Sequence, residues 1–367
     1  MALLFLRLGT IAFGGPAAHT ALMRDELVRR RGWLTDQRFA DLMGATNLIP
    51  GPNSTELAIH LGHERARWRG LVAAGVCFIL PAALMVTALA WAYVRYGSTP
   101  AVEGILYGVV PAVIAIIAHA LFALLRTVLK TVWLALLATA ALAAYLAGAN
   151  ELLILVSGAL AAVAVHAARR ARPLDPRALV LPLSGPLFPD PTGAQLAQLF
   201  ATMLKIGAVL YGSGYVLLAF LRGDFVDRLG WITEQQLADA VSIGQVTPGP
   251  VFTTATFLGY VIAGPAGAFL ATVAIFLPSF LFVGLLTRLT GFLRSRDWTG
   301  AMLDGLNATA LALMAGVSWQ LARAAVVDPL TAAITLGTLV AVWRTRINNA
   351  WYLAIGAAIG LIHALAG

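Results

Sequence analysis

The same pattern of glycines and prolines interrupts two apolar segments of this chain, 198 residues apart. Residues 9–52 and 207–250 align without gaps, and roughly a third of the paired positions are identical. Each copy has a glycine-rich stretch, then Gly-Trp, then Pro-Gly-Pro at 50–52 and at 248–250. Glycine and proline break helices. Breaks at corresponding places in two halves are typical of secondary transporters whose site lies at the repeat interface.

The composition indicates a polytopic membrane protein. Hydrophobic residues make up 60% of the 367 residues and charged residues only 11%, whereas soluble domains have about 25% charged residues. We therefore expect an all-α protein in which apolar stretches of roughly 17–25 residues cross the membrane. Ten stretches qualify, near 2–22, 70–94, 104–125, 131–148, 151–168, 196–220, 266–290, 301–322, 325–343 and 350–366.

The ten stretches fall into two repeats, 1–168 and 196–367, joined by a polar linker at 169–195. The net charge of +8 does not indicate a nucleic-acid partner, because the basic residues lie in short loops between apolar stretches. No Walker-type phosphate loop, metal-ligand cluster or catalytic triad is evident in the sequence. We therefore predict a protein that is not an enzyme and needs no cofactor or metal, with membrane lipid around it and a homodimer as an open possibility.

The topology depends on the segments 36–62 and 234–262, which contain the two Pro-Gly-Pro breaks. If these segments re-enter the membrane, each half crosses five times and the halves are inverted; if they span it, the halves are parallel. With re-entry, one side of the membrane carries 19 Lys and Arg residues in its loops and the other carries 4. The positive-inside rule then predicts about ten transmembrane helices in two inverted five-helix repeats, in the inner membrane, with both termini and the sparsely charged loops outside and the linker in the cytoplasm.

Two cations occupy equivalent places inside apolar stretches. Arg7 and Lys205 each precede the first glycine of their repeat by two residues. A charge inside the membrane usually faces a cavity or a partner, so both are candidate anion ligands. The alternative is that their long side chains reach the membrane surface from near a helix end.

Backbone breaks supply the other candidate anion ligands. Glycine-rich stretches let the backbone approach a ligand, although small residues also permit tight helix packing. A helix that begins after Pro-Gly-Pro presents unpaired N–H groups and partial positive charge to an anion, although the break could be a plain corner between helices. The predicted substrate-binding residues at these breaks are Gly14, Gly15, Gly51, Asn53, Ser54, Thr55, Gly212, Ser213, Gly214, Gly249, Thr253 and Thr254, where the first three N–H groups of each new helix are expected to be unpaired.

One acidic residue could carry a coupling proton. Glu56 follows the first break by four residues, and the second repeat has Thr254 at the same place. His60 is one helical turn further on and lies on the same face. A proton relay through the two is one interpretation; an interfacial histidine without such a role is the other.

These motifs resemble the chromate transporter (CHR) family. The matching residues are Leu8-Gly9 after a basic residue, Phe-Gly-Gly-Pro-Ala at 13–17, the stretch 24–33, and Leu-Ile-Pro-Gly-Pro at 48–52, with corresponding motifs in the second half. The resemblance covers nearly the whole chain, in the form with two fused homologous halves. This chain departs from the family pattern at two places: it has Tyr-Gly-Ser-Gly-Tyr at 211–215, where the family often has Phe-Gly-Gly-Gly-His, and Asn53, where the family often has an acid.

The resemblance implies export of chromate, a tetrahedral dianion, driven by the membrane potential or a proton gradient, and hence chromate resistance. Sulfate has a similar shape and charge and is a competing substrate. A passive anion channel and a membrane enzyme acting on lipid phosphate are alternative hypotheses. The enzyme would need acids, histidines or metal ligands clustered at one membrane face, whereas a transport assay with and without a gradient separates a carrier from a channel.

Overall fold

The structure is a computed structural model that describes residues 1–12, 15–46, 48–169, 195–211, 216–294, 297–345 and 347–366. Within these ranges the regular structure is helical. The first half contains α1 (Ala2–Ile11), α2 (Gly15–Arg24), α3 (Asp36–Thr46), α4 (Asn53–Tyr96), α5 (Pro100–Val128), α6 (Val132–Leu146) and α7 (Glu151–Arg169). The second half contains α8 (Gln195–Val209), α9 (Leu217–Leu221), α10 (Glu234–Val246), α11 (Thr254–Arg294), α12 (Asp297–Ala325), α13 (Pro329–Arg344) and α14 (Asn349–Ala366).

Six helices of the described chain are long and apolar enough to cross a membrane, and α1, α6, α8 and α13 are shorter apolar helices. The expected stretch near 325–343 begins later than predicted, because Asp328 caps α13 by accepting a hydrogen bond from the Thr331 backbone N–H at 2.8 Å. The Tyr107 hydroxyl also donates to this carboxylate, and these bonds hold the pKa of Asp328 below its usual range.

Both long helices that follow a Pro-Gly-Pro break contain a sharp turn at corresponding positions. In α4 the turn is at Ala66 (φ −147°, ψ 30°) and Arg67 (φ 50°, ψ −139°). In α11 it is at Ala263 (φ −146°, ψ 27°) and Gly264 (φ 62°, ψ −153°). The similar dihedral angles show that the two halves fold in the same way here. Each turn therefore separates a short arm, 53–65 or 254–262, from a long arm.

Glycines let the two arms of each long helix pack tightly. A methyl group at Gly62 would be 2.3 Å from the carbonyl oxygen of Gly70. The same distance separates a methyl group at Gly259 from the carbonyl oxygen of Gly267. Such contacts are too short for a side chain, so the arms rest backbone against backbone.

The two ends of the segment around the first Pro-Gly-Pro break lie close together. Arg38, near the start of α3, makes two hydrogen bonds of 2.9 Å to the carboxylate of Glu64, at the end of the short arm. Arg65 also lies 5.3 Å from the ring centre of Trp33, just before α3. The 11 residues of α3, at about 1.5 Å each, are roughly 16 Å long, about half of a 30 Å hydrocarbon core. The Pro-Gly-Pro break is therefore the tip of a helical hairpin.

The halves pack against each other in a reciprocal way. Helix α5 of the first half packs on α14 of the second, and the corresponding α12 packs on α7. Glycines mediate both contacts: a methyl group at Gly108 would be 1.9 Å from the Gly356 carbonyl oxygen, and one at Gly305 would be 2.6 Å from the Gly158 carbonyl oxygen. The long helices α4 and α11 also contact each other, and buried side chains of both halves form one large apolar core.

Candidate functional site

Each Pro-Gly-Pro tip is hydrogen-bonded to the other half of the protein. The Gly51 N–H donates to the carbonyl oxygen of Leu210 at 2.7 Å, and the Gly249 N–H donates to that of Ala12 at 2.9 Å. Gly51 and Gly249 are equivalent in the repeat, and so are Ala12 and Leu210. Each acceptor is the residue just after the end of the first helix in its half, α1 or α8. The structure thus brings the two tips to the two interrupted helices.

The tip glycines have backbone angles and surroundings that a side chain would disturb. Gly51 has φ +132° and Gly249 has φ +97°, which L-residues rarely adopt. A methyl group at Gly51 would be 2.1 Å from Oε1 of Glu56 and 2.8 Å from Oγ of Ser279. A methyl group at Gly249 would be 2.6 Å from Cβ of Ala82. Positions 82 and 279 correspond in the repeat, so the same surface supports each tip.

The helix starts differ in part from the prediction. Pro52 precedes α4, and Pro250 precedes a 3₁₀ turn, Val251–Thr253, that leads into α11. The prediction that the first three N–H groups of each helix are unpaired was wrong for the third. The N–H groups of Thr55 and Thr253 donate to the carbonyl oxygens of Pro52 and Pro250 at 2.8 and 3.0 Å. The anion-binding capacity of each start therefore lies in its first residues.

The hydroxyl groups of the second start are also used locally. Thr253 donates to the carbonyl oxygen of Pro250 and Thr254 to that of Val251, both at 2.8 Å. Both side chains are fully buried. The prediction that these two hydroxyls are donors for an oxyanion is therefore corrected: their protons are committed to the turn that begins the helix.

His19 joins the first helix start to the second tip, a role that the sequence did not suggest. Its Nε2 lies 3.0 Å from the Ala12 carbonyl oxygen, which also accepts from the Gly249 N–H. Its Nδ1 lies 3.1 Å from Oγ of Ser54. A carbonyl only accepts, so Nε2 carries the ring proton and Nδ1 accepts from the Ser54 hydroxyl. The equivalent residue in the second half is Leu217. This difference between the two repeats is the sequence feature that could have indicated a special role for His19.

Buried polar groups without partners lie next to the first tip. Among the described residues, the Thr55 hydroxyl, both carboxylate oxygens of Glu56, Nδ1 of His60 and the Ser279 hydroxyl have no hydrogen bond of good geometry, although the Ser279 hydroxyl lies near the Glu56 carboxylate. Each of these side chains is nearly or fully buried. Such groups are normally satisfied in folded proteins, so a concentration of them marks a place where function outweighs stability. Ser279 was missed because no motif surrounds it.

A cavity of about 620 Å³ reaches the first helix start. Its walls come from α2, α3 and the beginning of α4, and they include Thr20, Asn53 and Leu57. Arg24 and Asp36 also line the cavity; they are exposed and form an ion pair of 2.7 Å. Asn53 is thus the predicted ligand that the structure places on an open cavity.

The two intramembrane cations have different surroundings. Lys205 forms an ion pair of 2.6 Å with Asp224, which also accepts from Arg228 at 3.0 Å. Arg7 is exposed on α1 and has no ion pair among the described residues. The ion pair of Lys205 with Asp224 holds α8 to the π-helical turn Arg222–Arg228, so Lys205 has a structural role.

We expect Asp224→Asn to lower the free energy of unfolding by about 2–3 kcal/mol, less than for a fully buried pair because Lys205 is partly exposed. Lys205→Gln should cost less, since Arg228 still neutralises Asp224, and the double variant should cost less than the two changes added. Unfolding of the purified protein in detergent measures all three. Additive effects would show that the pair contributes nothing, and a loss of anion binding by Lys205→Gln without any loss of stability would make Lys205 a ligand.

Several predicted ligands fall where the structure gives no description. Gly14, Gly212, Ser213, Gly214 and nearly all of the linker lie outside the described residues. Gly15 is the first residue of α2. The apolar segments are nevertheless interrupted as predicted, since α1 ends at Ile11 and α8 ends at Val209.

Comparison with known proteins agrees with this arrangement of two interrupted halves. The model of the chromate transporter family matches residues 1–164 and 197–361, one half each. The chain belongs to the chromate transporter family. It is therefore a multi-pass membrane protein of a transporter family.

Three relatives of this chromate transporter family member are similar along most of their length. A chromate transport protein of Cupriavidus metallidurans is 34% identical over 98% of this chain and 91% of the relative. A probable chromate transport protein of Synechococcus elongatus is 32% identical over 98% of this chain and 93% of its own length. A chromate transport protein of Pseudomonas aeruginosa is 32% identical over 87% and 80%. No solved structure is detectably similar to the chain.

Proposed function

We propose that this protein is a secondary active transporter that exports chromate or a similar tetrahedral oxyanion across the inner membrane and thereby gives chromate resistance. The observation that carries the proposal is the reciprocal docking of the two Pro-Gly-Pro tips, with a cavity that leads to the helix start at Asn53. The relatives' names supply the substrate class. The substrate residues proposed here are Gly51, Asn53, Ser54 and Gly249.

The helix start supplies what a dianion needs when it leaves water. An oxyanion loses a large hydration energy, which fixed N–H donors and hydroxyls can replace. The positive end of the short arm of α4 contributes roughly 0.3–2 kcal/mol, and the glycine tip lets the backbone come close. The Ser54 hydroxyl donates to His19 at 3.1 Å, so Ser54 would offer the anion its backbone N–H, at a position that is fixed before the anion arrives.

The charge around the cavity supports export. Arg24 lines the cavity, and Arg29, Arg30 and Arg31 follow it in the chain. If the positive-inside rule holds, this face is cytoplasmic, so the cavity is open to the cytoplasm and its basic surroundings raise the local concentration of anions. Alternation between this state and an outward-open one would move the anion out of the cell.

The packing supports two repeats related by a two-fold axis. Reciprocal contacts, such as tip on helix end in both directions, are what a two-fold axis produces. With the tips taken as re-entrant, the bias of 19 to 4 basic residues between the loops favours an axis in the membrane plane over one along its normal. We therefore propose ten crossings in two inverted halves, with Glu56 and His60 as the place where a coupling ion acts.

Uptake into inverted membrane vesicles tests the function. Vesicles that contain the protein should accumulate chromate above the equilibrium level when an ion gradient is imposed, and vesicles without it should not. Sulfate, phosphate and molybdate, each alone and in competition, define the substrate. Equilibration without accumulation would mean a passive channel, and accumulation of sulfate without chromate would assign the competing substrate.

The inverted topology predicts opposite labelling of two equivalent positions. Arg29→Cys and Asp227→Cys, each introduced with Cys77→Ala, place one exposed cysteine at corresponding sites of the halves. A membrane-impermeant thiol reagent should label position 227 in intact spheroplasts and position 29 only in inverted vesicles. Labelling of both positions from the same side would contradict the inverted arrangement and favour parallel halves.

A further inference from the structure

The buried oxygens beneath the first tip come from both halves of the protein. The Thr55 hydroxyl and the Glu56 carboxylate belong to α4, and the Ser279 hydroxyl belongs to α11. We call these three residues the oxygen cluster. All three side chains are fully buried, and none of their four oxygens has a hydrogen bond of good geometry among the described residues, although the Ser279 hydroxyl lies near the Glu56 carboxylate.

The geometry at Gly51 brings the carboxylate and the Ser279 hydroxyl together. Both oxygens lie within 3 Å of the point where a side chain of Gly51 would begin, Oε1 of Glu56 at 2.1 Å and Oγ of Ser279 at 2.8 Å. The lack of a side chain at Gly51 therefore lets two oxygens, one from each half, approach the tip. Thr55 is next to Glu56 in the chain, and its buried hydroxyl is also unpaired.

The chemistry of this cluster fits a small monovalent cation. Its donors are a carboxylate and hydroxyls, the ligands that hard cations take. It carries one formal negative charge, and no group of three or more acidic, histidine or cysteine residues with metal-ligand geometry occurs among the described residues. A buried unpaired carboxylate is costly, and a bound cation removes that cost. Transporters with broken helices hold their coupling cations beside the interrupted parts of those helices.

We propose that Glu56 and Ser279 bind a sodium ion under the Gly51 tip. A proton on Glu56 would neutralise the carboxylate, and a sodium ion would neutralise it while also taking the Ser279 hydroxyl of the other half as a ligand. The second half has Thr254 where the first has Glu56, and Ala82 corresponds to Ser279. The second tip therefore lacks both principal ligands.

Sodium bound at this site would be the coupling ion of the transporter, an assignment that rests on the proposed function. The cation would lie beneath the same tip whose helix start is proposed to hold the oxyanion. The sodium gradient across a cell membrane is directed inward, so sodium would drive export by exchange, entering the cell as the oxyanion leaves. Because the ligands come from α4 and α11, occupancy also ties the two halves together on one face of the tip.

Direct binding of ²²Na⁺ to the purified full-length protein, without any oxyanion, tests the site. Wild-type protein in a choline buffer should bind sodium saturably. Glu56→Gln should abolish binding, and Ser279→Ala should weaken it about tenfold through loss of one ligand. Ser318→Ala is a matched control, because this buried serine donates to the Met314 carbonyl oxygen and not to the cluster. Glu103→Gln, at an exposed acid in α5, is the second control.

A sodium-dependent rise in melting temperature gives a second measurement that does not depend on radioligand retention. The rise should be present in wild type and both controls, reduced in Ser279→Ala and absent in Glu56→Gln. The proposal is overturned if wild-type protein binds no sodium, or if binding is equal in wild type, Glu56→Gln and Ser279→Ala. Transport that depends on pH and not on sodium would likewise overturn it and assign a proton to Glu56. Sodium binding without oxyanion transport would instead refute the proposed function and leave the cation site standing.

Discussion

Gly51→Ala and Gly249→Ala should each reduce transport at least about a hundredfold while the protein still inserts and purifies. The reason is twofold. Both glycines have positive φ values, +132° and +97°, that L-residues rarely adopt. The new methyl group would also meet Glu56 and Ser279 at the first tip, or Ala82 at the second. The tip must move, and its N–H then loses the carbonyl of the opposite half.

Gly230→Ala provides the matched control for both variants. Gly230 also has a positive φ, +62°, but a methyl group there would have nothing within 4 Å. It therefore carries the backbone strain without the steric clash at a tip. Initial rates in vesicles at equal protein levels, with melting temperatures of the purified variants, separate the two effects. If the tip variants transport as well as Gly230→Ala, the Pro-Gly-Pro elements are only corners of the fold.

His19→Leu should reduce the transport rate about tenfold or more. The change installs the residue that the second half has naturally at this place, so its size and polarity suit a buried position. It removes the bonds to Ala12 and Ser54, and a buried hydroxyl left unpaired costs about 1–3 kcal/mol. The helix start then loses the group that fixes Ser54, and oxyanion affinity should fall with the rate.

His19→Gln separates positioning from folding, because the amide can both donate to Ala12 and accept from Ser54. We expect it to recover a large part of the transport rate. His363→Leu, in α14, where the ring stacks on Tyr107 with centres 5.2 Å apart, is a control for loss of a histidine elsewhere. Equal transport by wild type and His19→Leu would show that the network is dispensable.

The broken helices could be predicted because glycine and proline act locally. The duplicated Pro-Gly-Pro segments located both tips, and the structure places the helix starts directly after them. The basic loops likewise predicted that the ends of the first hairpin lie on the same side, and the pair of Arg38 and Glu64 joins those ends. In each case the residues that allowed the prediction belong to the same short segment as the structure that they predicted.

The partners of the site could not be predicted because they are distant in sequence. Ser279 lies far from any motif, and its role follows only from the turn in α11 that brings it to Gly51. The ion pair of Lys205 with Asp224 crosses from α8 to the π-helical turn. The symmetry of Arg7 and Lys205 suggested a shared role, but only the second of these cations has an acid within reach among the described residues.

The crossed bonds at the tips also set an order of events during biosynthesis. The Gly51 N–H and the Ala12 carbonyl find their partners at Leu210 and Gly249, in the other half. Ribosomes add about 5–20 residues per second, so the first tip is made roughly 10–40 s before the last of these partners leaves the ribosome. During that interval the N–H of the first tip lacks the carbonyl of the other half to which it bonds in the folded protein. The first half therefore acquires its hydrogen-bond partners only when the second half is complete.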